Sequence, residues 1–141
     1  MAEPDFQSES PALVTRSGPV DHQNLATPLQ TKTPPHGRIE LVNVGDATIS
    51  RTRFQPGWKW SVDVKSQAGT ESCQLLHRVF MVSGHLHIRM DDGTEVELGP
   101  GDAAYIPPGH DAWVVGNEEV VNIGFSHAGK PTGLGEDPSK D

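Results

Sequence analysis

Gly101-Asp102-Ala103-Ala104-Tyr105-Ile106-Pro107-Pro108-Gly109-His110-Asp111-Ala112-Trp113 decides the fold. A Gly-Asp turn opens the stretch, Ala103 to Ile106 is a short apolar run, and Pro107-Pro108-Gly109 is a corner through which no helix continues. With Trp113-Val114-Val115 beyond the corner, the pattern is that of two short strands joined by a rigid bend. A histidine, His110, stands directly after the bend.

Outward from the bend the same pattern recurs. Leu86, Ile88 and Met90 alternate with His85, His87 and Arg89 up to an Asp91-Asp92-Gly93 turn, and Val96 and Leu98 alternate with Glu95 and Glu97 after it. This predicts a half-buried hairpin with His85 and His87 facing solvent and Asp91 and Asp92 serving the turn. Further upstream, Glu71 to Val82 reads as one long strand with Cys73, Leu75, His77, Val79 and Met81 on one face, broken by Ser83-Gly84. Trp58 to Val64 reads as another, with Trp58, Trp60, Val62 and Val64 inward and Lys59, Ser61 and Asp63 outward, followed by a polar loop from Lys65 to Thr70. Ile39 to Val44 and Ala47 to Phe54 flank a Gly45-Asp46 turn, and Val120 to Phe125 supplies a last strand. Strands recurring about every 8 to 12 residues predict an all-β sandwich or barrel.

Size and composition agree. The 141 residues, 34% of them apolar, suffice for one domain with a modest core, and 15 glycines and 12 prolines leave no room for long helices. Residues 1–37 read as an arm with little structure of its own or as a strand lent to a neighbouring subunit, residues 38–126 as the barrel, and residues 127–141 as a tail. His22 and His36, in polar surroundings, are expected in solvent.

The net charge of −8, from 19 acids against 11 bases, repels phosphate backbones and anionic bilayers, so nucleic-acid and membrane partners are excluded. Apolar runs are too short to span a bilayer and Met1-Ala2-Glu3-Pro4-Asp5 has no leader character, so a cytoplasmic protein is expected. Cys73 is the one cysteine, which precludes an intrachain disulfide and leaves it as core thiol, metal ligand or nucleophile.

These residues resemble the cupins. The second cupin motif runs Gly, five residues, Pro, one residue, Gly, two residues, His, three residues, Asn; Gly101, Pro107 and Gly109 match, Ala112 stands at the histidine position, His110 lies two places earlier and Asn117 one place beyond the asparagine. In the first motif, Gly84 fits the closing glycine, which sets His77 at the glutamate position, Cys73 at the second histidine and Glu71 at the first. The resemblance covers about residues 38–126 and implies a double-stranded β-helix, the cupin jelly-roll barrel, commonly paired as a homodimer. It implies an isomerase, lyase, oxygenase or sensor built around a small molecule in the barrel.

Glu71, Cys73 and His77 share strand parity, and His110 shares that of Ala112, so these four are the candidate ligands for one divalent metal ion. Thiolate and imidazole favour Zn²⁺ or Fe²⁺, and a carboxylate also accepts Mn²⁺. Without a metal, His77, His110 and Glu71 are candidate acid-base groups in a pocket walled by Trp58, Trp60, Tyr105 and Trp113. A straight strand separates Cys73 from His77 by roughly 13 Å, too far for direct proton transfer between them. Two readings stay open: a metal-dependent enzyme on a small organic molecule, and a metal-free ligand-binding or sensory protein.

Overall fold

A computed structural model describes residues 18–127. Residues 1–17 of the expected arm and all but the first residue of the expected tail lie outside the described residues. The chain runs β1 (Gln30–Lys32), β2 (Gly37–Val44), β3 (Ala47–Phe54), α1 (Trp60–Asp63), α2 (Lys65–Ala68), β4 (His77–Ser83), β5 (His85–Met90), β6 (Glu95–Leu98), β7 (Ala103–Ile106), β8 (His110–Val115) and β9 (Val120–His127). Every pairing is antiparallel, in a six-stranded sheet ordered β1-β2-β3-β9-β4-β7 and a three-stranded sheet ordered β6-β5-β8. The two sheets share one core, so this is the expected jelly roll.

Period-two patterning builds that core. Every second residue is buried along β3, β4 and β8, and Val79, Met81, Leu86, Ile88 and Val114 meet between the sheets. Phe54 stacks on Trp58 with ring centroids 3.7 Å apart. The Gly45-Asp46 hairpin forms in the expected register, Val44 opposite Ala47.

Three segments depart from the sequence reading. Trp58 to Val64 is not a strand: Lys59 makes a lone bridge to Trp113, and the chain then coils into α1 and α2. The coil is held from its polar side. The Asp63 carboxylate accepts from the Lys59 N–H at 2.9 Å, and Asp111 accepts from the Ser61 N–H at 3.0 Å, satisfying donors that a helix start leaves open. Asp63 is therefore buried rather than exposed, and Val62, expected inside, is 71% exposed. Trp58 and Trp60 remain fully buried.

Glu71 to Val82 is also interrupted, because β4 begins only at His77 and Cys73 forms an isolated bridge with His110. The described part of the expected arm, finally, joins a sheet of its own chain: Gln30–Lys32 pairs with Ile39–Leu41, and the Asp21 carboxylate accepts from the Gly45 N–H at 2.7 Å. His22 and His36 are exposed as expected, and His36 also places Nδ1 3.0 Å from Asp63 Oδ1.

Gly84 joins β4 to β5 at φ +76°, where a Cβ would stand 2.6 Å from the Glu119 carbonyl oxygen and 2.7 Å from Val120 Cα. Both contacts are backbone and cannot swing aside. Gly45 has a positive φ as well, but open space around it. Gly84→Ala is therefore expected to lower the unfolding free energy by about 3 kcal/mol or more, from strain plus overlap, against about 1 kcal/mol for Gly45→Ala. Equal losses in denaturant titrations would contradict the close approach.

Candidate metal centre

Two turns bring the candidate side chains together. Pro107-Pro108-Gly109 bends the chain out of β7, and Gly109 accepts φ +95° where its Cβ would press on the Asp91 carboxylate at 3.0 Å. The bend lays the start of β8 against Cys73. The Cys73 N–H donates to the His110 carbonyl at 2.7 Å, and the N–H groups of Gly109 and His110 donate back to the Cys73 carbonyl at 2.7 and 3.3 Å. Residues 74–76 then loop into β4, whose first residue is His77.

The result is a triad. Ligand-type atoms of Cys73, His77 and His110 all lie within 4.8 Å of one another, and all three residues are buried. Cys73 Sγ is 3.6 Å from His77 Nε2, and the imidazoles of His77 and His110 meet edge-on with centroids 5.1 Å apart. The roughly 13 Å expected between Cys73 and His77 fails because the segment between them is a loop rather than an extended strand.

His110 is held in one tautomer. Its Nδ1 lies 2.8 Å from the Pro107 carbonyl oxygen, which can only accept, so Nδ1 carries the proton and the Nε2 lone pair is free. That Nε2 is buried without a partner, as is Nδ1 of His77. A carbonyl behind one imidazole nitrogen and a bare lone pair at the other is the arrangement of a metal-ligating histidine. A tetrahedral ion at about 2.3 Å from sulfur and 2.0–2.1 Å from nitrogen holds such a pair of donors about 3.6 Å apart, as found for Cys73 and His77. The donor set fits a divalent ion.

Electrostatics keeps the site neutral. Burial pushes the Cys73 thiol up to about 11, an effect that Asp111 reinforces and a hydrogen bond from the Leu75 N–H opposes. Burial also lowers His77 well below its ordinary value, assisted by His110, and lowers His110 against the opposing pull of the Pro107 carbonyl, Asp111 and Asp91. Both imidazoles are thus neutral and ready to ligate, whereas the thiol gives up its proton only to a cation. A protonated thiol beside a neutral imidazole is not an activated nucleophile pair, which sets thiol catalysis aside despite the short distance.

The remaining candidates fall elsewhere. Glu71, expected as a ligand, lies in a bend with its side chain 96% exposed and pairs with Lys65, because no strand carries it inward. Trp113 is on the outer face of β8, stacked on His87 and capped by the Lys59 ammonium, so it walls no interior pocket. His85 is exposed, and His87 faces outward against Glu95. Ala112 does point inward, one turn of the β8 pleat from His110. Trp58 and Trp60 sit in the core, and Tyr105 lines an opening.

That opening is a cleft of about 170 Å³ between β6 and β7, one edge strand from each sheet, walled mainly by apolar groups such as Val96, Leu98 and Tyr105. Two of its walls flank the triad directly: Met90 lies opposite His110 in the β5–β8 pairing, and Ile106 lies opposite His77 in the β4–β7 pairing. Neither residue stood out in the sequence, since only the cross-strand register reveals their neighbours.

The profile of the EutQ-like cupin domain matches residues 52–123. None of the curated proteins matches the chain in sequence. Among solved structures, KdgF from Halomonas sp. superposes with a TM-score of 0.54 at 17% identity, over 81% of this chain and 96% of that one. The polyketide cyclase RemF from Streptomyces resistomycificus gives 0.51 at 18% identity, over 74% and 77% of the two chains. Lactobacillus farciminis oxalate decarboxylase gives 0.51 at 15% identity, over 69% of this chain and 30% of that one. At these identities the likeness is one of fold.

Burial of two neutral histidines has a sign. Their folded-state affinities for protons lie below the unfolded value of 6.5, so as pH falls the unfolded chain takes up protons first. The stability they protect is complete above about pH 6.5 and is lost as pH falls toward the folded values. Unfolding free energies of metal-free protein from denaturant titrations are expected to drop from pH 7 to pH 5, by up to about 1.4 kcal/mol per pH unit for each histidine. His77→Gln should flatten the slope; an unchanged slope would contradict neutral burial.

Proposed function

The chain belongs to the EutQ-like cupin family, and from that premise we propose that it is a metal-dependent cupin acting on a small organic molecule at Cys73, His77 and His110. The observation that carries this reading is the unpartnered, buried Nε2 of His110, held as a free lone pair by the Pro107 carbonyl and set beside a cysteine and a second histidine. A zinc, iron or manganese ion there would polarise a ligand oxygen as a Lewis acid or serve as an oxygen-activating centre. Thiolate and imidazoles favour zinc or iron over manganese once Glu71 is removed from the set.

The chain's own residues do the rest. Three ligands leave a coordination position open, and Met90 and Ile106 bring the cleft to it. At about 170 Å³ the cleft is smaller than the roughly 300–1,000 Å³ of drug-sized pockets, so its occupant is a small metabolite or one end of a longer one. The apolar walls would keep water from the open position, and the Pro107 carbonyl would hold His110 with its Nε2 toward the ion. An isomerase, lyase or oxygenase fits this set. The exposed position of Glu71 favours a second reading, a ligand-binding or sensory cupin without turnover, because it takes away the expected carboxylate acid-base group.

The same reading has two chains pairing through the outer face of the six-stranded sheet, where Phe80, Val82 and Phe125 are 42%, 49% and 45% exposed. It also keeps Cys73 reduced, as in the cytoplasm, a location that cell fractionation tests. No helix among the described residues is long and apolar enough to cross a membrane.

Protein purified without an affinity tag is expected to carry about one equivalent of a divalent metal, and Cys73→Ala, His77→Ala and His110→Ala to lose at least tenfold in affinity while keeping the far-ultraviolet spectrum of the parent. Metal content near zero in the parent, even after zinc is supplied, would sink the metal reading. For the dimer, sedimentation equilibrium should give twice the chain mass, and Phe80→Glu with Phe125→Glu should give the monomer. A parent that is already monomeric at micromolar concentration removes the pairing.

A further inference from the structure

The inner face of β3 and β9 is polar where a jelly-roll core calls for apolar side chains. Thr48, Ser50 and Thr52 on β3 are 4%, 0% and 0% exposed, and Asn122 on β9 is 0% exposed. Thr48 is paired, its hydroxyl donating to Asn43 Oδ1 at 2.7 Å. Thr52 Oγ1 and both polar atoms of Asn122 are not: all three are buried without a hydrogen-bond partner.

The register places these three atoms together and gives them no other polar neighbour in their rung. Ile39, Thr52, Asn122 and Met81 stand opposite one another in turn across β2, β3, β9 and β4. Thr52 and Asn122 are thus neighbours, with Cβ atoms about 4.5–5.5 Å apart, and their outer neighbours Ile39 and Met81 offer no strong hydrogen-bonding group. Toward the triad, the next inward position on β9 is Gly124, which adds no side chain between Asn122 and the centre. From Met81 back to His77 along β4 is about 13 Å.

We propose that Thr52 and Asn122 form a second subsite inside the barrel, which takes a neutral group that both donates and accepts hydrogen bonds, a hydroxyl or a carboxamide. This deepens, and for its second contact point rests on, the reading of the triad as a ligand site: the molecule's far end meets Thr52 and Asn122 while its near end faces Cys73, His77 and His110. Neutrality follows from the charges. The buried acids Glu40 and Asp63 already have partners, Glu40 with Arg38 and Arg51 and Asp63 with His36, and no cation stands beside Thr52 or Asn122 in their rung. A carboxylate placed there would be desolvated without compensation, whereas a hydroxyl or amide would satisfy the three orphaned atoms.

The test uses acetamide as the probe, sodium acetate as the charged control, and the full chain with and without added zinc. In ¹⁵N-labelled protein the Gly124 amide cross-peak is expected to shift saturably with acetamide but not with acetate. In Thr52→Val/Asn122→Leu the acetamide dissociation constant should weaken at least tenfold while metal content stays at the parent's value. The same double variant is expected to melt no lower than the parent, because replacing unpartnered buried polar groups by apolar ones of similar shape is neutral or stabilising. No saturable shift in the parent, the result if the pair holds water alone, overturns the proposal. So does a shift that survives in the double variant, or a melting temperature lowered by more than about 5 °C, which marks the pair as structural. Failure of zinc binding alone would overturn the metal reading and leave the acetamide arm to decide the subsite.

Discussion

Three backbone hydrogen bonds between Cys73 and the Gly109–His110 turn hold the molecule's chemistry in place. They tie the loop before β4 in the large sheet to the first residue of β8 in the small one, so that a cysteine and two histidines from distant parts of the chain face one point. Because the contacts are backbone to backbone, the side chains are free of any structural duty at the clasp. The Pro107 carbonyl then orients His110, and the loop at residues 74–76 swings His77 back over Cys73. Without the clasp, Cys73 would lie on an extension of β4 with its thiol well away from both imidazoles.

Burial sets the state of that centre. Low polarity around Cys73, His77 and His110 favours the uncharged form of each, and the same burial that makes two imidazoles good ligands makes the thiol a reluctant one. A cation would resolve the conflict, since it would compensate a thiolate that the core otherwise rejects. The polar inner face of β3 and β9 poses a related problem further inside the barrel, where Thr52 and Asn122 sit among Ile39 and Met81 with nothing to bond. Both features are costly to a core, and the proposed site draws on both.

The cupin barrel itself is indifferent to which reaction it hosts. Its relatives of known structure include a cyclase and a decarboxylase at 18% and 15% identity, which speaks to architecture and leaves chemistry to the local residues. Here the local residues differ from the general motif in a consistent way. A histidine stands at position 110 instead of 112, and both positions face inward on β8, so the imidazole is displaced by one pleat repeat and stays on the same face. Trp113, one of the four residues expected to wall the pocket, has the opposite parity and lies on the outer face with His87 and Lys59.

Sequence alone determined most of the strands and their turns, because a period of two and the glycines at most positive-φ corners are local properties; β3 and β6 begin and end where the alternation does. It also determined that Cys73, His77 and His110 were the residues to watch. What it misjudged were segments whose conformation is set by distant partners. Trp58 to Val64 alternates like a strand yet coils, because Asp63 and Asp111 satisfy the open N–H groups of a helical turn. Glu71 alternates with Cys73 and His77 yet lies outside, because the strand that would have aligned them does not start until His77. Which donors converge, and where an unpaired lone pair is left between them, was decided only when the bend before His110 met the loop after Cys73, since hydrogen bonds between residues 36 or 37 positions apart leave no mark on the sequence around either.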